Sequence, residues 1–180
     1  MENNYLQSAN RLFKYYKSLA DKAIERIPEN KIHFQFNEDS NSLALIVRHM
    51  SGNMLSRWTD FLTTDGEKPW RNRDSEFEDP DWDKKNLIAN WEKGWTTLFN
   101  TIEPLKSTDL DKIVYIRNEG HTVMEAINRQ IAHYAYHVGQ IVFLAKAITT
   151  DWETLSVARN KSKDFNDDKF SKDQGKRHFV

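Results

Sequence analysis

Four long stretches of this sequence repeat their apolar residues at intervals of three and four, the spacing that lines one face of an α-helix. The first, about 3 to 27, sets Leu6, Leu12, Phe13, Tyr16, Leu19, Ala23, Ile24 and Ile27 in one broad stripe and closes at Pro28. The second, about 41 to 63, follows the cap-rich EDSNS and turns Leu43, Ile46, Val47, Met50, Met54, Trp58 and Phe61 inward. The third starts near Pro80, a residue favoured in a first helical turn. Its inward set is Leu87, Ile88, Trp91, Trp95, Leu98, Phe99 and Ile102, and Pro104 marks its end. The fourth opens at Thr122, which forms with Glu125 the T-x-x-E spacing of a capping box. It carries Ile127, Ile131, Tyr134, Val138, Ile141, Val142 and Ala145 on one face to about 148. Four such helices with scarcely any strand imply an all-α fold, a four-helix bundle.

The connections add detail. Between the third and fourth helices, DKIVYIRNEGHT has a β-branched and aromatic run suited to a small hairpin or an extended crossover. Residues 63 to 80, TTDGEKPWRNRDSEFEDP, form a long polar loop of a kind that is commonly functional or disordered. After 148 the chain reads as irregular, anchored by Trp152, Leu155, Val157 and Phe165. Its charge-dense end, NKSKDFNDDKFSKDQGKRHFV, reads as solvated surface, mobile beyond about 165. No repeat or break in composition divides the 180 residues, so one domain over 1–180 is expected.

Composition narrows the function classes. A formal net charge of -1 gives no global attraction to nucleic acid or to an anionic membrane. The tryptophans and phenylalanines recur at helical spacing, as core does, not as base-stacking platforms. With no cysteine, disulfides, thiolate ligands and a cysteine nucleophile are excluded, which is compatible with a reducing cytosol. MENNYLQSAN lacks the features of a signal peptide, and LALIV and IVFLA fall far short of the ~20 apolar residues that span a bilayer. A soluble, cytoplasmic protein is expected. No phosphate-binding glycine loop, nucleotide fingerprint or nucleophile-elbow serine is present.

The chemistry-bearing stretch is IAHYAYHVGQ, residues 131 to 140. His133 and His137 stack on one side of the fourth helix, with Cβ atoms ~6 Å apart, and both rings can reach one metal ion at ~2.1 Å. Gln130 and Gln140 extend the same side into a polar strip along an apolar helix. Two readings stand at this point: hydrogen-bonded core histidines, or ligands of a shared ion. Tyr134 occupies the place of the glutamate of H-E-x-x-H, which argues against a zincin protease. A third ligand is needed, and His49 is the candidate, mid-helix in ALIVRHMSGNM. Nearby Gly52 weakens the helix but lets another helix or a ligand approach. His33, His121 and His178 lie in loop or tail contexts and are set aside.

RHMSGNM in the second helix, together with IAHYAYHVGQIV in the fourth, resembles the DinB/YfiT-like superfamily. Its members are bacterial four-helix bundles in which one histidine of helix two and two of helix four hold a divalent metal. The likeness spans most of the chain, and GNMLSRWTDFLTTDGEKPWRNRDSEF and LSVARNKSKDFN further resemble an uncharacterised branch. The resemblance implies His49, His133 and His137 as metal ligands, and a possible homodimer.

Three neutral histidines leave open positions on the ion, as catalytic sites do. Zinc or nickel fits such a set first, and iron or manganese is tolerated. A bound water there would have its pKa drawn to ~7, or an incoming thiol would be deprotonated. Some relatives are similar to transferases that join low-molecular-weight thiols such as bacillithiol to electrophiles. The expected function is therefore a metal-dependent enzyme on a small molecule, thiol-transferase-like or hydrolase-like. The alternative is a non-catalytic metal or small-molecule binder, or a dimeric scaffold. Asn53, Gln130 and Gln140 are candidates for orienting the ligands or a bound water. If the 63–80 loop folds over the open position, Arg57, Arg71 and Arg73 would hold an anionic substrate and Trp70 would exclude water. Asp65, Glu67 and Asp74 compete for those arginines as ordinary ion-pair partners.

Overall fold

Each long helix after the first begins where a side chain caps it. In the computed structural model, which describes residues 4–175, Ser42 accepts a hydrogen bond from the Leu45 amide (3.2 Å) and opens a helix at Leu43. Asp83 does the same for the Asn86 amide (2.6 Å). Thr122 and Glu125 form the expected capping box, each side chain accepting from the other's backbone amide. The helices are α1 (Asn4–Arg26), α2 (Leu43–Trp58), α3 (Lys84–Ile102), α4 (Val123–Ile148) and α5 (Ser162–Phe170). Among the described residues the only sheet is a two-stranded antiparallel pair, β1 (Ile113–Ile116) and β2 (Glu119–Thr122). The described residues are thus mostly helical, with five α-helices and one small hairpin.

α1 packs on α4 and α2 on α3, while α2–α4 and α1–α3 contacts close the set. An aromatic knot lies where they meet. Phe13 of α1 stands 6.1 Å from Trp58 and 5.9 Å from Tyr134 between ring centroids, and Trp95 lies 5.8 Å from Tyr134. Gly94 permits the close α2–α3 approach, because a Cβ there would stand 3.1 Å from the Ser51 Cα. No helix among the described residues is long and apolar enough to cross a membrane.

Several boundaries differ from the sequence expectation. α3 starts at Lys84, not near Pro80, because Asp83 supplies the cap and Asp81 takes a left-handed φ of 50° that no helix continues through. α2 stops at Trp58, followed by Asp60 at φ 49°, yet Phe61 still reaches the core. Ile88 lies at the edge of its stripe and is exposed. The segment after 148 is not wholly irregular: α5 forms there, with every residue exposed. His178 and the end of the charged tail lie outside the described residues.

The stretch between the third and fourth helices is a hairpin. Its two-residue turn, Arg117-Asn118, has φ of 55° and 63°, as a type I′ connection requires. Arginine is strained there, and Asp65 holds the turn by accepting from the Arg117 amide (2.9 Å) and the Asn118 amide (2.7 Å). Gly66 donates to the Tyr115 carbonyl (2.8 Å). The polar loop is therefore laced to the hairpin tip. It is ordered further by a 3-10 turn at Asp74–Phe77 and by burial of Lys68 and Glu76.

Candidate metal centre

His49 on α2 faces His133 and His137, one turn apart on α4, and all three rings turn the same nitrogen inward. The Nε2 atoms of His49 and His133 are 3.4 Å apart, and those of His133 and His137 are 3.0 Å apart. Ligand atoms of the three residues all lie within 4.8 Å of one another. Two nitrogens each ~2.1 Å from one ion, at angles of ~90–110°, stand ~3.0–3.4 Å apart. The donor set fits a divalent ion.

Two of the three outer nitrogens are occupied in the way metal-bound imidazoles require. His49 Nδ1 donates to Glu76 Oε2 (2.9 Å), and His137 Nδ1 donates to Gln140 Oε1 (2.8 Å). A proton on each Nδ1 leaves the Nε2 lone pair free to ligate. Glu76 is in turn clamped by Arg71, whose Nε and Nη2 reach the two carboxylate oxygens at 2.7 and 2.8 Å. Gly52 makes room for this carboxylate, since a Cβ there would collide with Glu76 Oε1 and meet its Cδ at 3.0 Å. Phe77 covers His49 from the other side, stacked at 5.1 Å.

Electrostatics keep His133 and His137 neutral, the state in which an imidazole can ligate. Burial, reinforced by the neighbouring imidazoles His137 and His49, pushes His133 down to about 3. Burial likewise pushes His137 down to about 4, against the opposing pull of its Gln140 hydrogen bond. Burial alone would raise the Glu76 carboxyl, but the hydrogen bonds from Arg71 and His49 outweigh it and hold the group below its ordinary value. Near neutral pH the site therefore offers neutral imidazoles on His133 and His137, backed by an ionised glutamate.

The other residues singled out in the sequence divide. Gln140 holds His137, as described. Asn53 is buried and its Oδ1 accepts from the Tyr134 hydroxyl (3.1 Å), which itself accepts from Trp58 Nε1 (3.0 Å). Gln130 is 1% exposed, and its Oε1 has no hydrogen-bond partner among the described residues. Arg57, Arg71 and Arg73 line a cavity that also exposes His49 and His133. Trp70 does not join them; it is 59% exposed and outside the cavity walls. The competing ion pairs form on Arg71 and Arg117, both reached by Glu67, while Arg57 pairs with no acid among the described residues.

Sequence reasoning missed Glu76, Arg117 and Arg129. Arg129 carried a signal, one turn before His133 on the same helix. Arg117 carried none, because a hairpin tip brings it to the cavity. The trace of Glu76 was indirect: the gap at Gly52 pointed to something entering, and the loop supplies it.

No curated protein matches this chain. The sequence profile of a family described as "Protein of unknown function (DUF1572)" matches residues 1–161, which carry all three histidines and every helix but α5. The match spans most of the chain, and the protein belongs to the DUF1572 family.

Proposed function

We propose that this protein is a DinB/YfiT-type four-helix bundle that holds one divalent ion on His49, His133 and His137 and acts as a metal-dependent enzyme on a small molecule. One observation carries the reading. Three Nε2 atoms from two helices converge at ligand spacing while two of the outer nitrogens are fixed by Glu76 and Gln140. A carboxylate clamped by a guanidinium behind one ring is the arrangement that fixes the tautomer and orientation of a metal-bound imidazole. Such an ion, zinc or nickel foremost, supplies a Lewis acid that acidifies a water or thiol at an open position.

The chain's own residues prepare that chemistry. Glu76 holds the proton on His49 Nδ1 and orients the ring, and Arg71 fixes Glu76. Gln140 does the same for His137. Tyr134, fully buried, fixes the Asn53 amide at the cavity wall. The cavity beside His49 and His133 gives a small molecule its approach. Two reaction classes suit this arrangement: transfer of a low-molecular-weight thiol to an electrophile, and hydrolysis of an ester or amide.

A panel pairing such thiols with electrophiles, run beside simple esters and amides, tests the proposal on the zinc- and nickel-loaded protein. Metal-dependent turnover of one class is expected, falling to background in His133→Ala while the far-ultraviolet dichroism stays helical. Absence of turnover across the panel, with the ion demonstrably bound, overturns the enzymatic reading and leaves a binding role.

A further inference from the structure

The cavity beside the histidines has a volume of about 240 Å³ and five arginines in its walls, Arg57, Arg71, Arg73, Arg117 and Arg129. No acidic residue lines it. Two carboxylates stand behind it. Glu76 is taken up by Arg71 and His49, and Glu67 by Arg71 and Arg117. Asp65, within electrostatic reach of Arg57, uses its oxygens on the backbone amides of Glu67, Arg117 and Asn118. Arg73 lies over the Phe77 ring at 5.2 Å, and Arg129 has no ion pair among the described residues.

Arg57 is the decisive group. It is 4% exposed, and its Nε and Nη1 are buried without a hydrogen-bond partner among the described residues. A guanidinium removed from water with two empty donors is costly unless an acceptor arrives. Asn53 adds to the donor surface. Trp58 Nε1 can only donate, so it occupies a lone pair of the Tyr134 hydroxyl; that hydroxyl then donates to Asn53 Oδ1. The Asn53 amide nitrogen is left for the cavity that Asn53 lines. The volume lies below the ~300–1,000 Å³ of drug-sized ligand sites, which suits a small anion-bearing molecule and not a nucleotide.

We propose that this cavity binds an oxyanion, the carboxylate or phosphoryl group of a small molecule, through Arg57, Arg73, Arg129 and the Asn53 amide, beside the three histidines. The inference rests on the small-molecule reading above and names its substrate class. A bound oxyanion sets its charge beside the uncompensated Arg57 guanidinium and places the rest of the molecule against His49 and His133. Arg71 keeps Glu76 in position and does not need to be released.

The test is calorimetric titration of malonate, inorganic phosphate and neutral malonamide into the full chain, with and without zinc. The variants are Arg57→Gln, Arg73→Gln and Arg129→Gln. One of the anions is expected to bind, at least tenfold more weakly in Arg57→Gln and several-fold more weakly in the other two, and malonamide is not. The tighter anion identifies the group. Arg73 and Arg129 are exposed, so their variants keep the test decisive if Arg57→Gln melts early. Failure of both anions to bind at millimolar concentration overturns the proposal, as does binding that none of the substitutions weakens. Zinc content is measured on the same samples. Zinc bound without anion affinity contradicts this inference and leaves the metal reading standing. Anion affinity with no zinc bound supports this inference and contradicts the metal reading.

Discussion

Glu76→Ala is expected to lower the melting temperature by roughly 6–12 °C and to weaken metal binding by about 10–100-fold. Both effects follow from one carboxylate. Glu76 is the bidentate partner of Arg71, whose side chain is 3% exposed, and removing one member of a buried pair strands the other charge. Such losses run to about 3–5 kcal/mol, and the low end applies here because Glu67 stays in reach of Arg71 at 3.3 Å. The second effect passes through His49. Without the acceptor on Nδ1, the ring loses its fixed tautomer and orientation, so Nε2 no longer points with certainty at its neighbours. Glu76→Gln separates the two roles. It keeps an oxygen for His49 but not the charge for Arg71, so stability falls while metal affinity drops less than in Glu76→Ala. Thermal melts and zinc titrations on both variants check this. Unchanged metal affinity in Glu76→Ala would mean that the carboxylate serves only the Arg71 pair and the fold.

Acidification gives the other large effect. His133 and His137 are held down to about 3 and about 4 in the folded chain, against 6.5 for a free imidazole. Between those values and pH 6.5 the unfolded chain carries protons that the folded chain refuses. Stability therefore rises with pH across this window, and is lost as pH falls below 6.5. Each group contributes a slope of about 1.4 kcal/mol per pH unit. After a discount for the partial solvent contact of His133, the metal-free protein is expected to lose about 2–4 kcal/mol between pH 7 and pH 5. Glu76 acts in the same direction at lower pH: its folded value is depressed, so its contribution disappears as pH falls below that of a free carboxyl. Denaturant melts of the metal-free chain from pH 7.5 to 4.5 measure the curve. Zinc is expected to move the loss to lower pH, since protons and the ion compete for the same nitrogens. In His133→Ala and His137→Ala the slope should become shallower.

What the sequence made legible was whatever depends on local periodicity. The four apolar stripes specify α1 to α4, and the four-residue interval between His133 and His137 follows directly from helix geometry. His49 required a guess about which helices meet, and the mixed histidine and glycine content of α2 prompted it. Boundaries were less legible where signals competed. Pro80 is a fair helix opener, but the left-handed Asp81 and the cap at Asp83 decide where α3 starts. Glu76 and Arg117 were beyond reach for a different reason. Each comes to the site through tertiary contacts of irregular chain, the loop seated in the space above Gly52 and the hairpin tip held by Asp65. Trp70 shows the converse, a conspicuous residue in the right loop that faces solvent.

Elemental analysis of the desalted full chain after equilibration with zinc tests the central claim most directly, alongside His133→Ala and, as a control outside the cluster, His33→Ala. His33 is bound instead to Asp79 and the Trp82 carbonyl. One ion per chain is predicted in the wild type and in His33→Ala, and none in His133→Ala. A wild-type chain that retains no ion, or equal occupancy in all three proteins, would contradict the account.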